Sequence, residues 1–337
     1  MAKLGERYDE DLDVRVKAAV DETKGMVIGA TVFEAFKNYE MQDCFDVVVF
    51  DEAGQVPLAH AICGMLHGKS HIFVGDHMQL GPIVVGSHSD KEMQQSIFEY
   101  LHHRYPGIST MLDESFRMNE WINEFPSTQF YGGRLKPHRT ALGKKIKVKS
   151  GGKYRHIIDP DKPVVFVDMG HEGFMHSSIE EAKLCAGVLV EMMHVHGIKP
   201  FEMAVIASHR VQVRAITHET YKLAEKVMGS KGLAEVKKSL IIDTVERIQG
   251  QERDVILISL AASDEDFILS EAEFLLMPNR LNVAITRPRK KLILVGSRYF
   301  FRAKPLNEDK MHMLNYFKKL YQHLQDKGWI VHMDNGD

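Results

Sequence analysis

The stretch VVVFDEAGQ, residues 47–55, joins a short apolar run to two adjacent carboxylates. Consecutive apolar residues without alternation are typical of a strand that is covered on both faces, as in parallel α/β sheets. Ligands of open α/β sheets bind beyond the carboxyl ends of the strands. The position of Asp51 and Glu52 therefore favours a ligand site in an α/β protein. An acidic pair in the first turn of a helix is the alternative.

Similar apolar runs recur along the chain and alternate with helical patterns, which predicts parallel α/β layers. The predicted strands are 26–28, 47–50, 72–74, 164–167, 203–207, 240–242, 255–260 and 292–295. The predicted helices lie near 11–24, 56–67, 178–196, 209–228 and 310–326. Because Pro106-Gly107 interrupts the pattern, we predict a first domain of residues 1–106 and a second of residues 107–337.

The composition of the 337 residues, 44% hydrophobic and 26% charged, is that of a soluble globular protein. No apolar run is long enough to span a bilayer and the N-terminus has no apolar signal core, so we expect no membrane contact and a cytoplasmic location. The three cysteines form no CxxC pair, which argues for a reducing compartment and against structural zinc. With a net charge of −3, nucleic-acid contacts would require a local basic patch.

One such patch exists, because no acidic residue occurs between Glu124 and Asp159. A run of cations of this kind is typical of a polyanion-binding surface, and a solvated basic loop is the alternative. Its members are Arg134, Lys136, Arg139, Lys144, Lys145, Lys147, Lys149, Lys153 and Arg155.

The segment Gly68-Lys69-Ser70 is similar to the end of a phosphate-binding loop, but the glycine required five residues earlier is replaced by Cys63. A phosphate loop follows a strand and begins a helix. Here the helical pattern comes first and the apolar run 72–74 follows. We therefore predict that Gly68 is a helix C-cap. The pattern Gly-x-x-x-x-Gly-Lys-Ser/Thr occurs nowhere in the sequence.

Four further blocks carry polar groups suited to phosphate chemistry. VGDHMQL, residues 74–80, places Gln79 after a strand, where an amide could sense a γ-phosphate; a surface turn is the alternative. Arg117, Arg280, Arg287 and Arg289 could stabilise charge on a transferring phosphoryl group, although single arginines more often form surface ion pairs. In IDTVERIQGQERDVILIS, Gly250 permits a turn and Glu252 lies at the start of a strand.

Together and in this order, these blocks resemble the superfamily 1 helicases, in the subgroup of the nonsense-mediated-decay RNA helicase and the replication nuclease-helicase. The resemblance covers roughly residues 25–300. The matching segments are GMVIGAT before the second motif, DEAGQ for the second, GDHMQLGP for the third, SFRMNEWINEFPSTQFYGGRL for the fourth, DTVERIQGQERDVILIS for the fifth and RLNVAITRPRKKLILVG for the sixth.

This resemblance implies two RecA-like domains of the P-loop NTPase type with mostly parallel sheets, the first of them incomplete. It also implies ATP and Mg²⁺ between the domains and single-stranded DNA or RNA across their tops. Asp51 would hold Mg²⁺, Glu52 would be the general base, and Gln79 would contact the γ-phosphate or the attacking water. Arg117 and Arg287 would be arginine fingers. Further expected contacts are Asp76, Gly250 and Glu252 to ATP, and Thr31 and Thr244 to nucleic acid, to which the basic patch adds Arg134 and Lys136.

The family's first motif, the phosphate loop, has no counterpart in this sequence. We therefore expect poor ATP affinity, an unpaired edge in the first sheet, and a second polypeptide that carries the loop, although a truncated or split gene product would look the same. The leading hypothesis is the motor portion of an ATP-dependent helicase. The alternative is a non-catalytic pseudo-helicase that binds nucleic acid or protein. A nuclease is disfavoured because no acidic cluster lies outside these blocks.

One smaller departure concerns the sixth block, where Pro288 replaces a usual alanine after Arg287. Proline disfavours helical backbone angles in the residue before it. The sequence therefore predicts that a helix near 278–285 ends close to Arg287. The sequence does not distinguish DNA from RNA as the substrate.

Overall fold

The computed structural model of the protein describes residues 2–3, 25, 27–37, 42–82 and 91–333. The chain divides into two compact units, Met1–Met111 and Leu112–Asp337. Both contain parallel strands together with helices, which confirms the predicted α/β class with mostly parallel sheets. The domain limits at 106/107 stay a prediction. The predicted helix 11–24 and residue 26 of the first predicted strand lie outside the described residues.

The described part of the first unit contains two pairs of parallel strands. β1 (Ala2–Lys3) pairs with β2 (Ile28–Gly29), and β3 (Phe45–Phe50) pairs with β4 (Gly68–Phe73). The register aligns the last residue of β3 with the last residue of β4, so both strands end at the same edge. The helices are α1 (Val32–Lys37), α2 (Leu58–Met65) and α3 (Ile97–Arg104).

A small apolar core lies against one face of β3 and β4, formed by Phe50, Ala61 and Ile97 with neighbouring side chains. The other face is open, since Val49 is 58% exposed and Ile72 is 52% exposed. Successive residues of a strand point to opposite faces, so burial of one face leaves alternate residues outside. The prediction of fully buried strands at 47–50 and 72–74 is therefore wrong for these side chains.

Gly68 begins β4 and does not cap a helix, because α2 ends at Met65 and its C-cap is Leu66. A Cβ atom on Gly68 would lie 2.6 Å from Val48 Cγ2, so glycine allows the two strands to pack closely. The predicted helix C-cap at Gly68 is wrong. The segment is nevertheless unsuited to phosphate binding, because a strand does not converge its N–H groups on an anion as a helix N-terminus does.

The second unit contains a six-stranded parallel sheet and a separate parallel pair. The pair consists of β5 (Glu114–Ser115) and β6 (Lys136–Pro137). The strands of the sheet are β7 (Val164–Asp168), β8 (Met203–Ala207), β9 (Ile241–Asp243), β10 (Arg253–Ser259), β11 (Pro288–Gly296) and β12 (Ile330–His332). Their order in the sheet is β12-β7-β11-β10-β8-β9.

Nine helices accompany these strands in the described part of the second unit. They are α4 (Glu120–Phe130), α5 (Arg155–Ile158), α6 (Ile179–His194), α7 (Arg210–Ser239), α8 (Val245–Ile248), α9 (Glu265–Ser270), α10 (Ala272–Leu275), α11 (Pro278–Ile285) and α12 (Glu308–Asp326). Helix α7 is interrupted at Gly229, whose φ is 69°, and the predicted helix 209–228 corresponds to its first part. None of the described helices has the length and apolar content needed to cross a membrane.

Helices cover both faces of the large sheet. On one face, Val165 and Val205 share a buried cluster with Leu189 of α6. On the other face, the ring of Phe166 packs on that of Phe301, with centroids 5.2 Å apart. Every residue of β7 and β8 is buried as a result. This double coverage explains the unbroken apolar runs in the sequence.

All six strands run in the same direction, so the sheet has two chemically distinct edges. We term the edge formed by residues that precede the strands the amino edge; it includes Glu252 before β10 and Arg287 before β11. We term the opposite edge, formed by residues that follow the strands, the carboxyl edge. It includes His209 after β8 and Thr244 after β9.

At the amino edge, the buried side chain of Lys291 links β11 to the loop before β7. Lys291 of β11 is fully buried, and its ammonium donates to the carbonyl oxygens of Asp159 (2.9 Å) and Lys162 in the loop before β7. Burial lowers the pKa of Lys291 to about 7, against the opposing influence of the Asp159 carboxylate. The side chain therefore changes charge near neutral pH without leaving the interior.

We expect Lys291 to make the free energy of unfolding increase as the pH rises from about 7 toward 10.5. In this window the unfolded chain binds the lysine proton and the folded chain does not, which favours folding at higher pH, by at most about 1.4 kcal/mol per pH unit. Urea unfolding of the protein and of Lys291→Met at several pH values measures the effect. The control is Lys290→Met, which alters a surface ion pair with Asp254. A difference between Lys291→Met and the parent that does not change with pH would contradict the assignment.

Candidate functional site

In the first unit, the loops that follow β3 and β4 lie directly against each other. The amide of Ala53 donates to the carbonyl oxygen of Val74 at 2.8 Å. A Cβ atom on Gly54 would lie 2.9 Å from Asp76 O, and one on Gly75 would lie 2.7 Å from Gly54 N. Glycine at both positions therefore allows the contact. The structure thus brings the segment with Asp51 and Glu52 to the same edge as the segment with Asp76 and Gln79.

Glu52 has an unusual backbone for a residue with a side chain, with φ 53° and ψ 37°. This left-handed region is sparsely populated except by glycine, asparagine and aspartate, and such residues cluster at functional loops. The Glu52 amide donates to Asp51 Oδ1 at 3.0 Å, and Gln55 Nε2 donates to Glu52 Oε2 at 3.0 Å. Both carboxylates are exposed. Gln55 belongs to the quoted motif but was not predicted as a site residue, because its partner depends on the turn.

The side chain of Asp76 orients Gln79, which is also predicted to act at this edge. Its carboxylate accepts a hydrogen bond from Gln79 Nε2 at 2.8 Å and another from the Met78 amide at 2.9 Å. His77 between them stacks on His102, with ring centroids 4.6 Å apart. Burial lowers the pKa of His77, and the His102 ring acts in the same direction. The Gln79 amide is therefore oriented by a neighbouring carboxylate.

In the second unit, three distant sequence blocks converge at the amino edge. Arg117 Nε donates to Glu252 Oε2 at 2.7 Å, and Arg117 Nη1 donates to the carbonyl oxygen of Thr286 at 3.1 Å. Arg289 Nη1 contacts the second oxygen of Glu252 at 3.3 Å. The side chains of Arg117 and Glu252 remain 31% and 41% exposed. Two guanidinium groups thus share one carboxylate in a place open to solvent, where an anion could compete for them.

Arg287 is placed differently from Arg117. Helix α11 ends at Ile285 and β11 begins at Pro288, which agrees with the helix end predicted from Pro288. The side chain is only 2% exposed, and its Nε donates back to the carbonyl oxygen of Val283 at 3.0 Å. The backbone of Arg287 lies at the amino edge, but its guanidinium is buried. Arg289, to which the resemblance gives no finger role, is partly exposed.

Gly250 positions Glu252 through a turn. Its φ is 76°, and the amide of Gln251 donates to the carbonyl oxygen of Ile248 at 3.0 Å. Only glycine adopts this backbone region without strain. The turn reverses the chain directly after α8 and leads it into β10, which places Glu252 at the amino edge.

The residues predicted to contact nucleic acid lie on different elements of the two units. Thr244 lies at the carboxyl edge, where it precedes α8. Lys136 is exposed in β6, whose partner β5 ends two residues before Arg117, and Arg134 is exposed nearby. Thr31 belongs to the first unit, is exposed, and accepts a hydrogen bond from the Glu34 amide at 3.2 Å.

A cluster of aromatic rings lies beside His209 at the carboxyl edge. The ring of His209 stacks on that of Phe274, with centroids 5.2 Å apart, and lies 5.0 Å from that of His176. The guanidinium of Arg280 lies 3.6 Å from the Phe274 centroid. Burial lowers the pKa of His209, with His176 adding to the effect, and burial lowers the pKa of Arg280 to about 10. These rings come from separate elements of the chain, so no local sequence signal identifies them.

Comparisons with known proteins identify the family of the chain. Two family models, each described as an AAA domain, match residues 93–299 and residues 6–87. An uncharacterized ATP-dependent helicase of Methanocaldococcus jannaschii is 29% identical over 308 residues, which is 87% of this chain and 41% of the relative. The chain belongs to this AAA-domain family of superfamily 1B helicases.

Other relatives of the chain come from eukaryotes. The DNA replication ATP-dependent helicase/nuclease JHS1 of Arabidopsis thaliana is 28% identical over 304 residues, 86% of this chain and 22% of the relative. The ATP-dependent helicase NAM7 of Saccharomyces cerevisiae is 27% identical over 294 residues, 85% of this chain and 28% of the relative. The chain therefore spans less than half of the length of these relatives. The confirmed resemblance concerns the family, and the site residues stay predictions.

Proposed function

We propose that this chain is the motor portion of an ATP-dependent helicase, in which ATP hydrolysis drives translocation along single-stranded nucleic acid and unwinding. The observation that carries the proposal is the contact of Arg117 and Arg289 with Glu252 at the amino edge. Three sequence blocks meet there to form a cationic, partly exposed cluster, which is the kind of group that stabilises a phosphoryl transition state. The names of the relatives, which include ATP-dependent helicases, point to the same chemistry.

In this proposal the first unit supplies the carboxylates. Asp51 fits a magnesium ligand because it is an exposed, hard oxygen donor, and Mg²⁺ usually takes only one or two protein carboxylates beside phosphate and water. Bound Mg²⁺ would neutralise charge on the phosphates. Glu52 would accept the proton of the attacking water, with Gln55 orienting its carboxylate. Gln79, held by Asp76, would contact the γ-phosphate or the water.

The second unit would supply the cations. Arg117 would exchange the carboxylate of Glu252 for the γ-phosphate, and Glu252 would then face the ribose and phosphates beside Gly250. Arg287 would act as the second finger after its guanidinium leaves the carbonyl of Val283. Arg289 is a further candidate for this role, because it already contacts Glu252 and is partly exposed.

Single-stranded DNA or RNA would lie along the carboxyl edge in the second unit. Thr244 is placed there, and the rings around His209 offer flat surfaces on which bases could stack. Thr31 would contact the strand from the first unit. Arg134 and Lys136 lie near Arg117, on the side of the amino edge, and would contact phosphates of a strand that extends beyond the carboxyl edge. We do not distinguish DNA from RNA in this proposal.

A second candidate function is a non-catalytic module that binds nucleic acid. It is favoured by one observation: the sequence has no Gly-x-x-x-x-Gly-Lys-Ser/Thr pattern, and Gly68-Lys69-Ser70 lies in a strand. The two candidates share single-strand binding and differ in turnover. A polypeptide that carries a phosphate loop would be required for turnover under the first proposal.

ATP hydrolysis by the purified chain at low salt, with and without single-stranded DNA and RNA, tests the proposal. We expect binding of single strands without turnover, and strand-stimulated turnover once a phosphate loop is supplied by a longer or a second polypeptide of the family. Persistent absence of turnover in that preparation would favour the non-catalytic module. Turnover by the 337-residue chain alone would contradict the need for an added loop.

A further inference from the structure

The basic segment that follows β6 contains a surface whose function the proposal above does not include. We term the cations of residues 144–155 the amino-edge strip. Its first member is fixed to the large sheet, because Asn119 Nδ2 donates to the carbonyl oxygens of Lys144 (2.8 Å) and Lys290 (3.2 Å). Lys290 lies at the beginning of β11, which places this end of the strip at the amino edge. The members of the strip are Lys144, Lys145, Lys147, Lys149, Lys153 and Arg155.

The rest of the strip is held at the same edge by α6. The carboxylate of Glu191 accepts hydrogen bonds from the amides of Lys153 (2.7 Å) and Tyr154 (3.0 Å). The amide of Lys149 donates to His196 Nδ1 at 3.2 Å. Helix α6 connects the end of β7 to the start of β8, so its last turn and the residues after it lie near the amino edge. The strip is therefore an anchored segment.

The side chains of the strip alternate in burial. Ile146 is 6% exposed and belongs to the main core, and Val148 packs against that core, whereas Lys147 and Lys149 are exposed. This alternation is that of an extended segment, in which every second side chain points outward about 6.6 Å from the next. Lys147 and Lys149 therefore point outward on the same side of this segment.

Part of the strip's charge is not neutralised by ion pairs within the described residues. Lys145 pairs with Asp161 at 2.8 Å. For Lys147, Lys149 and Arg155 the structure has no ion pair with any residue of its described ranges. Glu191 lies close by, but its carboxylate is directed at backbone amides.

The cations also come together in space. The pKa of His196 is lowered first by burial, against the opposing effect of Glu191, and Arg155 and Lys149 lower it further. Lys149 and Arg155, on either side of the Gly151-Gly152 turn, therefore both lie close enough to act on the same imidazole. The strip combines outward cations with an anchored backbone, and its concentration of positive charge is local in a chain of net charge −3.

We propose that the amino-edge strip binds the phosphate backbone of a nucleic acid, as a second contact on the edge of the sheet opposite Thr244. A linear row of cations without a pocket suits a linear polyanion read without regard to sequence. An acidic protein partner is less well matched, because protein interfaces need apolar or aromatic anchors at their centre, and the outward residues between the cations are Ser150, Gly151 and Gly152. The inference rests on the proposed function for the presence of nucleic acid.

The test compares the salt dependence of oligothymidylate binding by the 337-residue chain and two double variants. Lys147→Gln/Lys149→Gln removes two strip charges, and Lys226→Gln/Lys319→Gln removes two exposed charges from α7 and α12 as a matched control. We expect the strip variant to reduce the slope of log K against log salt by about 1.4, since each single-strand phosphate contact contributes about 0.7. The control should leave the slope unchanged. Amide exchange should show protection of residues 144–155 by the oligonucleotide in the parent chain.

The outcomes separate this inference from the proposed function. If the parent binds the oligonucleotide and the strip variant keeps the full slope without protection at 144–155, the inference is wrong and the proposed function is untouched. Equal losses in both double variants would show a general charge effect and would also overturn it. If the parent does not bind single strands at all, the proposed function is wrong, and this inference is wrong with it. If the strip variant binds oligothymidylate like the parent but loses binding to polyglutamate, the inference is wrong and the surface is assigned to an acidic protein.

Discussion

Replacing Arg117 with alanine is expected to lower kcat for strand-stimulated ATP hydrolysis by about 10³- to 10⁵-fold, the loss typical of a missing arginine finger. The substitution removes the guanidinium that contacts Glu252 at 2.7 Å and leaves the carboxylate with Arg289. Because Arg117 is partly exposed, the fold should tolerate its removal. The measurement is kcat and KM for ATP in a preparation of the protein that includes a phosphate loop.

The matched control for this variant is Arg302→Ala, since Arg302 is exposed and lies over the ring of Tyr299, 5.4 Å from its centroid. An unchanged kcat in Arg117→Ala would remove Arg117 from the catalytic site. The same assay distinguishes Arg287 from Arg289. Arg287→Ala should lower both kcat and the melting temperature, because the side chain is buried and bonded to the carbonyl of Val283. Arg289→Ala should affect kcat with little change in melting temperature.

Replacing Glu52 with glutamine is expected to lower kcat by about 10²- to 10⁴-fold, the usual contribution of a general base. Glutamine keeps the size of the side chain and can still accept the hydrogen bond from Gln55, so ATP affinity and single-strand binding should be retained. Single-turnover hydrolysis in the same loop-containing preparation measures the chemical step directly.

Asp46→Asn is the control for Glu52→Gln, because it makes the same change from carboxylate to amide at an exposed position of β3. It should leave kcat unaltered. Turnover at the parent rate in Glu52→Gln would remove the general-base role from Glu52, and equal losses in both variants would indicate a general effect of charge on the first unit.

The parts of the fold that could be predicted from sequence are those with helices on both sides. β7, β8, β10 and β11 lie close to the predicted runs because double coverage demands uninterrupted apolar residues. β4 was predicted too short, since its first residues are GKSH and its outer face is open. Helix α4 escaped prediction because Pro126 lies inside it, and proline normally indicates a helix end.

The residues of the candidate site also differ in how well they could be predicted from the sequence. Asp51, Glu52, Asp76 and Gln79 could be located from strand ends, because each pair directly follows an apolar run. The contact between Arg117 and Glu252 could not, since it depends on the folding of residues separated by more than a hundred positions. The burial of Arg287 depends on how α11 ends, which the Pro288 signal predicts for the backbone but not for the guanidinium.

Under the proposed function Glu52 is needed for activity, whereas its left-handed backbone lowers the resistance of the fold to heat. A side chain with φ 53° is less favourable by roughly 1 kcal/mol than one in an ordinary region, and asparagine is better tolerated there than glutamine. Glu52→Asn should therefore melt at a higher temperature than Glu52→Gln, although both lack the carboxylate, and a lower melting temperature for Glu52→Asn would contradict this. Selection for stability alone would favour another residue at this position, so under the proposed function Glu52 trades thermal resistance for turnover.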